Sequence, residues 1–192
     1  MKKVFFSVAA LAALCFVACS KDEDKDPTPQ VDAPKDSIVV YRDVVFSMDA
    51  GDTIGRAFST QYGKMYTDSK IPTDSNAKYI DLVGGSVELG TIFFASPDSL
   101  RELEGITITG ATKTIIQHNV TDTTIMSPFK FDTLAHASTL NGITVKGDAD
   151  FDGFEYPSVL FFQNARGKKG VILYKGMARD LTTFTVDIKV QY

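Results

Sequence analysis

Asp148, Asp150 and Asp152, with Gly153 directly after them, set carboxylates at alternate positions in front of a flexible residue. That is how a calcium loop of the EF-hand kind opens: the carboxylates converge on a hard cation and the glycine permits the sharp turn. The register then fails, because Val159 stands where a bidentate glutamate should close the shell and Pro157 intrudes before it. The stretch therefore reads first as an acidic, solvated turn. A calcium site of different geometry, recruiting Glu155, is the alternative, and no other cofactor is suggested.

His118 and His136 are the only imidazoles, and no His-x-x-x-His spacing joins them. Neither zinc binding nor a Cys/His nucleophile pair is signalled. Serines and aspartates are plentiful, but the Gly-x-Ser-x-Gly elbow of a serine hydrolase is missing. Glycoside hydrolysis needs two carboxylates about 5–10 Å apart, and the sequence does not bring Glu88, Glu102, Glu104 or Glu155 together. Gly84-Gly85 follows no phosphate-loop spacing and reads as a turn or hinge. Sugar faces stack on aromatic rings, which makes Tyr41, Tyr62, Tyr66, Tyr79 and Tyr156 candidates for a glycan surface. The chain has no Trp, however, and sheet packing with hydroxyls at the surface accounts for the tyrosines.

The formal net charge is −4, so nucleic acid is not expected as a partner. Cys15 and Cys19 are the only cysteines. Both precede the folded part, which leaves it without a disulfide and dependent on its core.

Any site must be positioned by short runs of Val, Ile, Phe, Tyr and Thr, separated from Ile38 onward by Gly, Asp, Asn and Pro. This texture predicts an all-β, antiparallel β-sandwich, immunoglobulin-like in form, over residues 38–192. Strands are expected at 38–47, within 55–66, at 78–83 and 90–95, in short pieces at 106–109, 112–117 and 143–145, and at 158–163, 170–177 and 182–191. In the last, Phe184, Val186, Ile188 and Val190 alternate with Thr185, Asp187 and Lys189, which predicts one core face and one wet face. One short helix is expected over Phe131–Leu140, with Phe131, Leu134, Ala137 and Leu140 on one stripe.

The amino-terminal end has a different character. Lys2 and Lys3 precede an apolar run from Val4 to Val17, too short to span a bilayer as a helix and arranged like a signal peptide, residues 1–18. Phe16-Val17-Ala18-Cys19 resembles the lipobox of bacterial lipoproteins, with Phe16 in place of the usual Leu. The resemblance implies that Cys19 is acylated and becomes the first residue, anchoring the protein to a membrane through its lipid. Ser20-Lys21-Asp22-Glu23-Asp24 resembles the surface-export signal of Bacteroidota lipoproteins; its plain reading is a solvated acidic spacer. Residues 19–37 read as a flexible tether, poor in apolar side chains and stiffened by Pro27, Pro29 and Pro34. The segments around Gly55–Thr60, Tyr79–Val83 and Phe94–Asp98, with Gly167-Lys168-Lys169-Gly170 and Asp187-Ile188-Lys189-Val190-Gln191, are similar to those of a group of Bacteroidota lipoproteins of unassigned function. That likeness implies a compact β-rich domain and an address at the outer membrane, on the cell surface. The expectation is a lipid-anchored envelope protein displaying a non-catalytic interaction module, with a glycan or an envelope protein as partner. Two other readings stand beside it: a glycan-binding accessory of an outer-membrane uptake system, and a hydrolase with a site assembled from loops.

Overall fold

A computed structural model of the chain describes residues 36–49, 53–88, 91–98, 106–118, 120, 122–147 and 158–192. Cys19, the calcium candidates Asp148, Asp150 and Asp152, and also Glu102, Glu104, Glu155 and Tyr156 lie outside them. The described strands are β1 (Ile38–Ser47), β2 (Ala57–Ser59), β3 (Lys64–Tyr66), β4 (Leu82–Glu88), β5 (Thr91–Ala95), β6 (Ile115–Gln117), β7 (Val159–Gln163), β8 (Lys169–Met177) and β9 (Thr183–Gln191). They form two antiparallel sheets, one ordered β1-β9-β8-β7-β6 and the other β3-β2-β4-β5. The expected all-β sandwich is present. Its immunoglobulin-like form is not established by this order, because β6 to β9 pair as a meander of strands consecutive in the chain.

The inner faces of the two sheets meet in one core. Phe46, Leu160, Phe162, Ile172, Phe184 and Ile188 come from the larger sheet, and Phe58, Leu82, Ile92 and Phe94 from the smaller. Phe46 stacks on Phe184 with centroids 5.4 Å apart, and Phe94 meets Phe46 edge-on at 5.1 Å, an arrangement suited to the ring quadrupoles. This cluster explains Gly84. The sequence suggested a hinge there, but Gly84 and Gly85 lie inside β4, opposite Phe94 and Phe93. A Cβ on Gly84 would stand 2.8 Å from the rings of both Phe46 and Phe184, so the absent side chain makes room for the stacked pair.

Strand β1 keeps its apolar residues inward only by changing parity. Val39 and Tyr41 pack on the core, and so do Val44 and Phe46. The pairing with β9 slips between Tyr41 and Val44, leaving Arg42 and Asp43 opposite Asp187 alone, with Asp43 at a φ of 53°. Strand β8 slips too, between Tyr174 and Gly176 on the other side of β9, and this turns out Lys175. Two bulges thus flank the same stretch of β9 and increase its twist.

The outer face of β9 is covered as well at Asp187 and Lys189, which corrects the expectation of a wet face there. Asp187 and Lys189 are each only 3 % exposed. Above them lies α1 (Pro128–Thr133), whose Phe131 joins Leu134, Leu140, Val159, Phe161 and Val171 in a second core. A third core covers the smaller sheet, where Ile80, Ile106 and Ile108 lie against Val83 and Phe93. Residues 106–109 and 143–145 lie outside the strands, and 75–79, expected in part as strand, form a 3-10 turn.

The single helix expected over Phe131–Leu140 is two shorter pieces, α1 and a 3-10 turn at Ala137–Leu140. Ser127 caps α1 by accepting from the Lys130 N–H, and Pro128 fills the first turn. At its other end the Lys189 ammonium donates to the carbonyls of Phe131, Asp132 and Leu134, at 2.7, 3.0 and 2.9 Å. The Asp36 carboxylate then accepts the Ser138 N–H at 2.6 Å, and His136 bridges to Ser37. Tertiary partners thus take the backbone groups that a continuous helix would pair internally. The apolar stripe survives the break: Phe131, Leu134, Ala137 and Leu140 are all buried.

Candidate functional site

Three loops meet at the end of the sandwich where β1 begins and β9 ends: the β2–β3 turn at residues 60–63, the 3-10 turn at Ser75–Tyr79, and the β7–β8 turn at residues 164–168. Thr60 stands at their centre, its polar atoms held by Tyr41, Asp81 and Arg166. Its carbonyl accepts the Tyr41 hydroxyl at 2.6 Å, its N–H donates to Asp81 Oδ2 at 3.0 Å, and its hydroxyl also donates to that oxygen. Arg166 Nη2 donates to Asp81 Oδ2 at 3.0 Å and to Thr60 Oγ1 at 3.3 Å.

Asp81 is 1 % exposed. Burial pushes its carboxyl above the usual carboxylate range, and the charge of Arg166 and the bonds from Thr60 oppose that rise. Tyr41 lies edge-on to Phe58 with centroids 5.2 Å apart. Its phenol is pushed up to about 12 by burial and then by the nearby charge of Asp81.

Asn164 builds the β7–β8 turn. Its N–H donates to the Lys168 carbonyl, and its side-chain oxygen accepts the N–H groups of Arg166 and Lys168 at 3.1 and 3.0 Å. Gly167 supplies the positive φ, 75°, that the turn requires. Both basic side chains are thereby aimed from a pinned backbone. Behind the guanidinium lies the ring of Tyr79, with its centroid 5.6 Å from Arg166 Cζ.

In front of the guanidinium opens a cleft of about 250 Å³, walled by Thr60, Gln61, Arg166 and Lys168 on one side and by Val39, Gln191 and Tyr192 on the other. The Lys168 ammonium donates to the Tyr192 carbonyl. Gln191 is committed elsewhere: its amide nitrogen donates to Ala137 O and Asn141 Oδ1, and its oxygen accepts the Lys169 N–H. A second cavity, about 330 Å³, sets the apolar Val120, Ile125, Ile143 and Phe161 beside the charged Asp122 and Lys146.

The residues singled out from sequence end in other places. His118 is buried, with Nε2 3.1 Å from the Phe94 N–H and 3.0 Å from its carbonyl, so it ties the β6 end of one sheet to the β5 edge of the other. His136 is exposed and lies beside Asp36 at 3.3 Å. Glu88 ends β4. Among the described residues no three His, Cys, Asp or Glu side chains gather as a metal site. Of the candidate tyrosines, Tyr66 is buried beside Lys64, Tyr79 lies against Arg166 and Lys78, and Tyr62 meets Tyr79 edge-on at 5.3 Å. Sequence reasoning passed over Thr60 and Asp81 and took Arg166 and Lys168 only as linker. One signal was available, since Asp81 interrupts the apolar run Tyr79-Ile80-Asp81-Leu82-Val83, and a charge inside such a run implies a buried partner.

No family model and no curated protein matches the sequence. The structure is similar to the crystal structure of a DUF4466 family protein from Parabacteroides merdae, with a TM-score of 0.55 over 80 % of this chain and 15 % identity. The match takes in 53 % of that protein, so the chain spans about half its length. At that identity the likeness is one of fold, shared with a protein from the Bacteroidota, the group whose lipoproteins of unassigned function the sequence motifs resemble.

Proposed function

We propose that this is a lipid-anchored protein of the outer membrane that displays a non-catalytic binding module, with the cleft beside Arg166 and Lys168 as its binding face. One observation carries the reading. Tyr41, Asp81 and Arg166, distant from one another in sequence, all bond to Thr60, and the ion pair between the last two opens onto a cavity instead of being sealed by packing. The polar groups at the floor of the cleft satisfy one another, which suits a preformed recognition surface better than a poised nucleophile and base. The anchor rests on the lipobox-like residues ending at Cys19 and the address on the acidic stretch after it.

Two experiments test the two halves. Growth with radioactive palmitate should label the protein, and Cys19→Ser should abolish the label and move the protein out of the membrane fraction; an unlabelled product removes the anchor. A photo-crosslinking residue at Gln61, tested on whole cells, should capture a partner that the same residue at Thr185, on the far stretch of β9, does not. Equal capture at both positions removes the loop end as the binding face.

A further inference from the structure

We infer that Ile125 and Phe129, at the start of α1, dock on the surface of the lipid bilayer that holds the anchor, so that the domain lies against the membrane. This rests on the lipid-anchored reading and adds the face that the membrane meets. Among the described residues these are the two most exposed large apolar side chains, Phe129 at 76 % and Ile125 at 48 %. A single exposed apolar side chain is ordinary. These two flank the buried Met126 and are held in place by their surroundings. The N–H groups of Ile125 and Met126 donate to the Asp122 carbonyl at 3.0 and 3.2 Å, and the Lys130 ammonium ties the first turn of α1 to the Thr124 carbonyl.

The occupant follows from where the chain joins the domain. Asp36, the first described residue, is fixed to the 3-10 turn after α1: its carboxylate accepts the Ser138 N–H and hydroxyl at 2.6 and 3.0 Å, and its carbonyl accepts the Ala137 N–H at 3.3 Å. That turn and α1 form one layer on the larger sheet, because Gln191 holds the turn and Lys189 holds α1, and these two residues of β9 are about 7 Å apart. Roughly 17 residues separate Cys19 from Asp36, a reach of at most about 60 Å, so the anchored bilayer is close to this layer. Two apolar side chains could not hold a free domain on a membrane, where even a myristoyl chain binds only marginally. Once the anchor is in place the second contact is intramolecular, at an effective concentration on the order of millimolar. The charges around the two side chains are mixed, Lys130 and Lys146 with Asp122 and Asp132, all exposed, so the contact is apolar and needs no anionic headgroup. None of the described residues lining the cleft belongs to α1 or to the turn after it, which keeps the docking face distinct from the binding face.

The test couples the chain begun at Cys19, through that thiol, to a maleimide-bearing lipid in phosphatidylcholine vesicles. The chain has no Trp, so Phe129→Trp supplies a single fluorescent reporter. On coupling, its emission should shift to the blue, and lipid brominated in the acyl chains should quench it severalfold more than it quenches Leu181→Trp, an exposed apolar position in the β8–β9 turn at the other end of the sandwich. Ile125→Trp should be quenched as well. Adding Phe129→Ser to that variant, at a position the cores do not use, should lower the docking constant about tenfold, the order expected for withdrawing one ring from an apolar environment. Added salt should change none of this. Emission from Phe129→Trp that coupling leaves unshifted, or quenching no greater than that of Leu181→Trp, overturns the inference. A blue shift that grows with protein density on the vesicle, without quenching by brominated lipid, also overturns it and assigns the face to a second copy of the chain. Because the coupling is chemical, these outcomes do not depend on acylation in the cell, which palmitate labelling decides separately.

Discussion

Asp81 and Asp187 are both almost fully covered aspartates facing arginine, yet their surroundings drive them in opposite directions. Asp187 lies under a thin cover of side chains. It accepts from the bulged Asp43 N–H at 2.8 Å and from Arg42 at 2.6 Å, with Lys175 3.5 Å away. Burial pushes its carboxyl up, but the Asp43 N–H, Arg42 and Lys175 outweigh that and hold it below the usual range. Asp81 lies deeper, and there burial outweighs Arg166 and Thr60. The first cluster closes upon itself: Lys175 reaches across to Asp43, and Arg42 lies over the Phe131 ring. The second leaves one side of its arginine open to a cleft. The same pair of residue types therefore serves as a staple for two bulges in one place and as the floor of a binding site in the other.

The largest expected effect comes from removing the cation at the deeper site. Arg166→Leu should lower stability by about 3 kcal/mol in urea denaturation, the low end for breaking a buried pair because the cleft admits water. Adding Asp81→Asn to that variant should restore most of the loss. No loss in the single variant would mean that Asp81 is solvated and that the two sites are alike.

At the bulges, Asp187→Ala should cost about 2 kcal/mol, since it leaves the Asp43 N–H without its acceptor and removes the anion that Arg42 and Lys175 share. Hydrogen exchange at the Asp43 amide should accelerate in that variant while exchange at Thr60 stays unchanged.

The two carboxylates should also bend the pH profile of stability in opposite senses. Asp187 sits lower in the folded chain than its ordinary 3.8, so its contribution is complete above that value and is lost as pH falls through the folded pKa. Asp81 sits higher than 3.8, so its contribution is complete below that value and is lost as pH rises through the folded pKa. Asp187→Asn should flatten the acid limb of a denaturation series, and Asp81→Asn should remove the decline on the way toward neutrality. Matching slopes in the two variants would erase the distinction. The smallest effect is expected of Lys175→Gln, whose ammonium is solvated and screened; its denaturation midpoint should not differ measurably from that of the parent.

How much of this the amino-acid order carries depends on whether the cause is local. The alternation of Phe184, Val186, Ile188 and Val190 marks a strand because side-chain direction has a period of two, and β9 lies within the expected range. Asn164 and Gly167 mark a turn by their own backbone preferences, and that turn is where it was expected. The same alternation misleads at Lys189, because what covers the second face of a strand is another element, α1, whose carbonyls the ammonium caps. Gly84 reads as a turn until the stacked rings of Phe46 and Phe184, far away in both directions along the chain, are seen to need its empty space.

The candidate site lies at the far end of that scale. Asp81 and Arg166 are 85 positions apart, and nothing in either neighbourhood names the other. Residue order by itself settled the sandwich, its principal strands and the turn that carries Arg166 and Lys168, because hydrophobic periodicity and backbone preference act over a few residues. Only the folded chain decided which carboxylate is buried, which cation meets it and which of those pairs faces an opening, because desolvation and charge pairing depend on distance in space.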